Sequence, residues 1–287
     1  MTIKAAFIGL GAMGAPMAGH LKARGLLHAV ANRTHAKAEA LARQLGVHAP
    51  ATLDELAASC DIVALCVTAD ADVLATVEAL APHLKSGAIV IDHSTVAPDT
   101  AKQAAARLAA VGAHFLDAPV SGGVEGAKNG KLSVMVGGDA AVLERARPVL
   151  EAYALRVTHL GAVGSGQATK AVNQVLVAGI AQAVCEGLAL GEALGLDPER
   201  LLPTLGAGAA GNWFLEKRGA TMLRDEFSVG FKLGLLHKDL AIVNGIAQTA
   251  GTDRAVIEKS LADYAELMRQ GYADEDISAL LRLKRKP

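Results

Sequence analysis

Three glycines at fixed spacing near the start of the chain constrain its fold most strongly. The apolar run at residues 3–8 leads directly into Gly9-Leu-Gly-Ala-Met-Gly14, and alanine-rich sequence with helical spacing follows to residue 24. In a strand–turn–helix unit, the first glycine permits the tight turn and the second lets the backbone approach a pyrophosphate. The third lets helix and strand pack closely. The segment predicts a Rossmann domain whose dinucleotide contacts Gly9, Leu10, Gly11, Ala12, Met13 and Gly14.

Short β-branched runs alternate with helical stretches up to about residue 160. The strand candidates are residues 3–8, 27–31, 61–67, 88–92, 114–116, 132–136 and 156–159. Helix candidates lie between them, and one starts at Thr52, where Thr-Leu-Asp-Glu has capping-box spacing. This alternation predicts an α/β fold with a doubly wound parallel sheet covered on both faces.

The pattern changes after the glycine-rich segment 161–166. Residues 169–194 contain no proline, and their apolar positions recur at helical spacing, which predicts one long interdomain helix. The remainder is helical by periodicity and offers no strand candidate. A chain of 287 residues is about the length at which a single core divides. We therefore expect a Rossmann domain over residues 1–163 and an all-helical domain over residues 164–287.

The charge balance and hydropathy exclude two classes of partner. Lys and Arg number 28 against 29 Asp and Glu, so we expect no nucleic-acid partner. The longest uncharged stretch, residues 171–185, includes two glutamines and an asparagine, and it is shorter than the roughly 20 apolar residues of a membrane span. We expect no membrane partner. The basic tail that starts at Arg282 is expected to be a solvated terminus.

The cysteines and histidines indicate neither a disulfide framework nor a metal site. The three cysteines, Cys60, Cys66 and Cys185, form no CxxC pair, and the nine histidines are scattered. An odd number of unpaired cysteines fits a reduced, cytoplasmic compartment. His93 and His237 are expected to be structural. Trp213 is expected to pack in the core, with lining of the substrate pocket as the alternative.

The residues that end the second strand candidate bear on the choice of dinucleotide. NAD sites usually carry Asp or Glu about 20 residues after the glycine turn, where it binds the ribose 2′-hydroxyl. Asn32, Arg33 and Thr34 occupy that place here. Arg33 can pair with a 2′-phosphate and Thr34 can donate to it. We predict NADP(H) as the preferred cofactor, with NAD(H) as the alternative; the competing interpretation of Arg33 is a solvated surface cation.

Several further motifs accompany the glycine turn in a fixed order. They are Asp92-His-Ser-Thr95, Asp117-Ala-Pro-Val-Ser-Gly-Gly123, Gly166-Gln-Ala-Thr-Lys170, Phe231 and Lys238-Asp239. Together with FIGLGAMGAPMA they resemble the β-hydroxyacid dehydrogenase family, whose members include 3-hydroxyisobutyrate dehydrogenase, tartronate semialdehyde reductase and the glyoxylate/succinic semialdehyde reductases. The resemblance extends over nearly the whole chain. It implies a Rossmann domain followed by a helical domain that joins subunits as a homodimer or homotetramer.

The resemblance also implies a role for each motif. Lys170 takes the place of the general acid/base. The positions matching cofactor contacts near the nicotinamide are Val67, Thr68, Thr95, Phe231 and Lys238, although Cys66-Val67-Thr68 replaces a common Leu-Pro. The positions matching substrate contacts are Ser121, Gly122, Gly123, Asn173, Gln174 and Asp239. Asn173 and Gln174 lie three and four residues after Lys170, on its helical face, so either amide can be the substrate donor.

The implied reaction explains why a lysine is present. Hydride delivered to an aldehyde carbon leaves an alkoxide that must be protonated as it forms. A lysine in a partly desolvated cleft beside a second cation, Lys238, releases its proton more readily. We predict an NADP-dependent oxidoreductase acting on a small carboxylate-bearing aldehyde, of the glyoxylate, succinic, tartronate or methylmalonate semialdehyde class, or on the matching β-hydroxyacid.

Three alternatives are open to the same motifs. An imine reductase and a non-catalytic dinucleotide-binding scaffold are both disfavoured by Lys170, which imine-reducing relatives generally lack. A 6-phosphogluconate dehydrogenase needs a much larger helical domain and basic residues for the sugar phosphate. The structural interpretation of Lys170 itself is a stem along apolar surface with its ammonium in water.

Overall fold

The computed structural model describes residues 3–285. The chain forms two compact units, one ending at Lys170 and the other beginning at Ala171. The division falls inside a helix, seven residues after the boundary predicted at residue 163 (170 against 163).

The first unit is built on one eight-stranded sheet. Its strands are β1 (Ala5–Ile8), β2 (Leu27–Ala31), β3 (Ile62–Leu65), β4 (Ile89–Asp92), β5 (His114–Asp117), β6 (Val120–Ser121), β7 (Leu132–Gly137) and β8 (Ala154–Gly161). The order is β2-β1-β3-β4-β5-β7-β6, with β8 on the free side of β7. Strands β1 to β5 are parallel, as predicted. Strand β7 runs antiparallel to β5 and β6 and parallel to β8, so the sheet is mixed at this end.

All seven predicted strands are present, and β6 is an addition. Strand β6 contains two residues, Val120 and Ser121, which pair with Val134 and Ser133 of β7. Two residues are too few to show an alternating pattern, so the sequence offers no signal for this strand.

Helices cover both faces of the sheet. They are α1 (Gly14–Ala23), α2 (His35–Leu45), α3 (Leu53–Ser59), α4 (Asp70–Leu80), α5 (Pro98–Ala109), α6 (Gly123–Lys128) and α7 (Ala140–Leu150). In β1, Ala5 and Phe7 pack into the core on one face, while Ala6 and Ile8 pack into the core on the other. Burying a side chain the size of Phe7 contributes about 2 kcal/mol. Thr52 caps α3, as its capping-box spacing predicts, by accepting a hydrogen bond from the Glu55 N–H.

The second unit is helical in the part of the chain that the structure describes. Helix α8 (Ser165–Ala193) spans the division, and α9 (Pro198–Gly206), α10 (Trp213–Leu223), α11 (Leu233–Ala250), α12 (Ala255–Arg269) and α13 (Leu281–Lys284) follow. The core of this unit includes Cys185, Leu236, Tyr264 and Leu267. Between residues 162 and 285, the sole β-type pairing is an isolated bridge of Lys232 with Asp276.

Helix α8 is longer and more apolar than the sequence prediction allowed. It contains an 18-residue window of mean hydropathy 1.5, and a third of that window is buried within the protein. By length and composition alone such a helix can cross a membrane, but the core helix of a soluble protein passes the same test.

Within the described residues, the basic tail is anchored to the protein, contrary to the expectation of a solvated terminus. The Arg282 guanidinium lies over the rings of Phe227 (4.3 Å) and Tyr272 (4.5 Å). Arg285 pairs with Glu192 at 2.7 Å and with Asp225 at 2.5 Å. These partners are up to 93 residues distant in sequence, so only the folded helical unit brings them to the tail. The last two residues of the chain lie outside the described range.

Candidate active site

The motif segments of the first unit all follow strand ends that lie in register. Ile8 pairs with Leu65, Leu65 with Asp92, and Asp92 with Asp117, which are the last residues of β1, β3, β4 and β5. In open α/β sheets, ligands bind outside the carboxyl ends of the parallel strands, where the strand order reverses. Segments 9–14, 66–68, 93–95 and 118–123 begin at that edge.

The three glycines of the turn have different surroundings. Gly9 has φ +91°, and a Cβ there would collide with the Cys66 carbonyl. A Cβ on Gly14 would collide with the Gly9 carbonyl and with the Phe7 ring. A Cβ on Gly11 would meet nothing within 4 Å. Gly9 and Gly14 are therefore required by packing, whereas Gly11 faces open space that a pyrophosphate can occupy, so the turn fits a dinucleotide.

Asn32 ties the glycine turn to the end of β2. Its Oδ1 accepts the Leu10 N–H at 3.0 Å and its Nδ2 donates to the Thr34 carbonyl at 3.2 Å. Thr34 is the N-cap residue of α2 but makes no side-chain cap bond, and the first turn of α2 has no acidic residue. The Arg33 side chain is 90% exposed and lies 3.8 Å from Asp72. An ion pair this exposed is weak, so Arg33 can turn to an added anion.

The segments after β3 and β4 are joined to each other. Ser94 Oγ accepts the Val67 N–H at 2.9 Å, and the Ser94 N–H is donated to Asp92 at 2.8 Å. Thr95 is half-buried and follows these contacts directly, whereas Thr68 is exposed.

His93 has partners that the sequence did not reveal. Its ring nitrogens lie 2.7 Å from the Ala118 carbonyl and 2.8 Å from the Tyr153 hydroxyl. Burial lowers the pKa of His93 to about 4, because the charged imidazolium is poorly solvated there. His93 therefore has a structural role: its neutral ring links the end of β4 to the 118–123 segment.

The 118–123 segment makes a turn that needs glycine. Gly122 has φ +133° and Gly123 has φ +61°, conformations that L side chains rarely adopt. A Cβ on Gly122 would also lie 3.2 Å from a Leu132 methyl group. Ser121 immediately precedes this turn, in β6.

Lys170 is buried, with 7% of its surface exposed. Its Nζ donates to the Val120 carbonyl at 2.8 Å. The ammonium is therefore held next to Ser121 and the glycine turn, and it does not extend into bulk water.

Two residues outside the predicted site organise the start of α8. The buried Asp117 carboxylate accepts the Gly164 N–H at 2.8 Å and the Gln167 N–H at 2.9 Å. Desolvation raises the pKa of Asp117, and the backbone N–H donors oppose that rise. Gln167 bonds to the 94–96 segment through its side-chain amide. Both residues lie inside the motifs, but only their long-range partners reveal what they do.

The predicted residues of the second unit form a hydrogen-bonded chain. Lys238 Nζ lies 2.9 Å from Asp239 Oδ1, and Asp239 Oδ2 accepts from Gln174 Nε2 at 2.6 Å. Gln174 Oε1 in turn accepts from Asn173 Nδ2 at 2.7 Å. Gln174 and Asp239 are buried, so both ends of the Gln174 amide are engaged inside the protein.

Phe231 is held through its backbone. Asp276 Oδ2 accepts the Phe231 N–H at 2.9 Å and the Gly230 N–H at 2.8 Å, and Arg218 pairs with the same carboxylate at 3.4 Å. Trp213 is 51% exposed, which corrects the expectation of core packing. The Arg218 guanidinium lies 5.4 Å from the centre of its ring, and the neighbouring Phe214 takes the buried place.

The His, Cys, Asp and Glu side chains of residues 3–285 bear on metal binding and on disulfide formation. No group of three or more His, Cys, Asp or Glu side chains there is placed to hold a metal ion. The three cysteines are free thiols.

Comparison with known proteins supports the class of protein that this fold and turn define, an NAD(P)-binding oxidoreductase. Residues 4–161 match the family described as the NAD-binding domain of 6-phosphogluconate dehydrogenase. Residues 164–284 match the family described as "NAD-binding of NADP-dependent 3-hydroxyisobutyrate dehydrogenase". The chain belongs to the 3-hydroxyisobutyrate dehydrogenase family of β-hydroxyacid dehydrogenases.

Individual relatives match over most of their length. The NAD-dependent L-serine dehydrogenase of Pseudomonas aeruginosa is 36% identical, with 97% of this chain and 96% of the relative covered. The 2-hydroxy-3-oxopropionate reductase of Escherichia coli is 36% identical, with 83% and 82% covered. The solved structure of Mycobacterium tuberculosis 3-hydroxyisobutyrate dehydrogenase with L-serine is 31% identical, with a TM-score of 0.90 and complete coverage of both chains.

Proposed function

We propose that this protein is an NADP-dependent oxidoreductase that interconverts a small carboxylate-bearing aldehyde and the matching β-hydroxyacid. The observation that carries the proposal is the placement of Lys170: a buried ammonium held 2.8 Å from the carbonyl of Val120, beside the Ser121–Gly123 turn. A charged side chain is seldom buried unless it binds a partner or does chemistry.

The reaction needs a proton donor at the substrate oxygen. Reduced nicotinamide, when bound, supplies a hydride to the aldehyde carbon. The carbonyl π electrons move to the oxygen, which takes a proton from Lys170 and becomes the hydroxyl group. Lys170 is left as a neutral amine and regains its proton from solvent. The reverse sequence oxidises the hydroxyacid, with Lys170 as the base.

The substrate carboxylate is assigned to the turn at Ser121, Gly122 and Gly123. Positive φ angles at both glycines turn the backbone sharply there, and such turns can direct backbone N–H groups towards an anion. The Ser121 hydroxyl adds a further donor. A carboxylate bound at this turn lies next to the residue whose carbonyl holds Lys170.

Asn173, not Gln174, is assigned as the amide that contacts substrate. Gln174 is buried, and its amide already donates to Asp239 and accepts from Asn173. Asp239 and Gln174 therefore hold Lys238 and Asn173 in place. This assignment chooses between the two donors that the sequence left open.

NADP(H) is the favoured cofactor because of the start of α2. Arg33 and Thr34 are exposed there, and no acidic residue in the first turn repels a 2′-phosphate. The family matched by the helical part is described as NADP-dependent, although the Pseudomonas aeruginosa relative is NAD-dependent.

A homodimer through helix α8 completes the proposal. Val172 and Leu176 are each about three-fifths exposed (62% and 61%), and Ile180 continues the same four-residue spacing. These three side chains form the exposed α8 stripe, an apolar face of the kind that subunit interfaces cover.

A reduced cytoplasmic location is consistent with the three free thiols.

A substrate panel tests the proposed reaction. The purified protein is mixed with NADPH and with glyoxylate, succinic semialdehyde, tartronate semialdehyde, methylmalonate semialdehyde or a cyclic imine, and NADPH absorbance is followed. Oxidation is expected with at least one carboxylate-bearing aldehyde and not with the imine. Turnover of the imine alone, or of no compound despite tight NADPH binding, contradicts the proposal.

A further inference from the structure

Gln167 makes one hydrogen bond to each of the two residues that flank Thr95 in sequence. Its Oε1 accepts the Val96 N–H at 3.2 Å, and its Nε2 donates to the Ser94 carbonyl at 2.8 Å. Gln167 is 1% exposed, and Ser94 and Val96 are each 2% exposed. A primary amide is suited to this place because it donates and accepts at once.

The same residue belongs to the turn of α8 that precedes Lys170. The Gln167 N–H is donated to the buried Asp117 carboxylate at the end of β5. Gln167 and Lys170 are three residues apart, so they share one face of the helix. The start of α8 is thereby attached to the 94–96 segment, to Asp117 and, through Lys170, to Val120.

We propose that Gln167 is a positioning residue that sets the place of Lys170 relative to Thr95. This inference rests on the proposed function, in which Lys170 protonates the substrate, and on the family resemblance, which implies that Thr95 lies near the nicotinamide. Hydride and proton must reach the two ends of one carbonyl group, which are about 1.2 Å apart. An error of about 1 Å in the separation of the two donors can slow such a reaction about a hundredfold.

Two substitutions separate the effect of the bonds from that of the volume. Gln167→Met keeps the length of the side chain and removes both bonds. We expect kcat to fall about tenfold to a hundredfold while the NADPH dissociation constant changes much less. The primary isotope effect on kcat, measured with NADPH deuterated at the transferred position, should increase because hydride transfer becomes more rate-limiting.

Gln167→Glu gives a pH signature that loss of stability does not predict. A protonated carboxyl group can donate to the Ser94 carbonyl and accept from the Val96 N–H, whereas a carboxylate can only accept. The kcat of this variant relative to the wild type should therefore rise as the pH is lowered. The same ratio for Gln167→Met should be independent of pH.

The control is Gln182→Met, on the same helix. Gln182 also makes two side-chain bonds, to Ser260 and Asp263, but lies 15 residues further along α8 (182 against 167). Its substitution should alter thermal stability without changing kcat below the melting temperature.

The outcomes distinguish this inference from the proposed function. An active wild type whose Gln167→Met kcat stays within about twofold, or falls no more than that of Gln182→Met, overturns the positioning role alone. A wild type that binds NADPH but reduces no aldehyde overturns the proposed function, whatever the variants do.

Discussion

The Tyr153 hydroxyl and the Nε2 of His93 lie 2.8 Å apart in the core of the first unit. The other ring nitrogen of His93, Nδ1, faces the Ala118 carbonyl and must carry a proton. Because burial disfavours the doubly protonated ring, Nε2 accepts from Tyr153. Burial keeps the ring neutral, and its two contacts connect the end of β4 with the segment that leads to Ser121.

This pair makes stability depend on pH in a defined direction. The pKa of His93 is about 4 in the folded protein, below the ordinary value of 6.5. The neutral His93 ring makes its full contribution to the free energy of unfolding above pH 6.5. As the pH falls from 6.5 to 4, about 3 kcal/mol of that contribution is lost. We expect the difference in free energy of unfolding between wild type and His93→Met, measured in urea, to shrink by about that amount over this interval. His83→Gln, at an exposed histidine, serves as the control; a difference independent of pH would contradict the assignment.

Substitution of Lys170 should remove the chemical step while sparing cofactor binding. General acids contribute about a hundredfold to ten-thousandfold, so Lys170→Met should lower kcat by that range. The exposed Lys217, replaced in the same way, should leave kcat unchanged. Steady-state rates and NADPH titration measure the two quantities. Unchanged turnover in Lys170→Met would exclude this lysine as the acid.

Arg33→Ala should weaken NADPH binding far more than NADH binding. A hydrogen-bonded pair between Arg33 and a 2′-phosphate is worth about 1.5–3 kcal/mol, which corresponds to an affinity loss of about tenfold to a hundredfold. Arg43→Ala, at an exposed arginine of the same helix α2, is the matched control. Equal losses of affinity for NADPH and NADH would show that Arg33 does not contact the 2′-phosphate.

Two glycine substitutions should affect different properties of the protein, one its cofactor binding and the other its stability. Gly11→Ala places a methyl group in open space, so the melting temperature should be retained while NADPH binding is lost. Gly14→Ala forces a methyl group against the Gly9 carbonyl and the Phe7 ring, so stability should fall by about 1–3 kcal/mol. Thermal unfolding and NADPH titration of both variants test this contrast. Tight NADPH binding by Gly11→Ala would contradict the assignment of the open space at Gly11 to the pyrophosphate.

A charge on the exposed α8 stripe should separate the subunits. Leu176→Glu buries a carboxylate at the proposed interface, and we expect the molar mass measured by light scattering to fall from that of a dimer to that of a monomer. Leu155→Glu, at an exposed leucine of β8, is the control. A wild type that is already monomeric would reject the interface.

The strand–helix alternation and the glycine turn could be predicted from the sequence because both depend on neighbouring residues. The conformation that Gly9 needs and the periodicity of α8 are local properties of the chain. The order of the motifs likewise identified the family, and all seven predicted strands are present.

Side-chain contacts between residues far apart in sequence are known only from the tertiary structure. His93 meets Tyr153 across 60 residues, and Gln167 meets Ser94 across 73. The two-residue strand β6, the exposure of Trp213 and the anchoring of the tail by Arg285 have the same origin. A side chain's polarity shows that it needs a partner when buried, but which partner it finds depends on how the strands and helices pack. Sequence alone therefore identified the family and predicted the chemistry of its motifs, and folding decided which residues hold those groups in place.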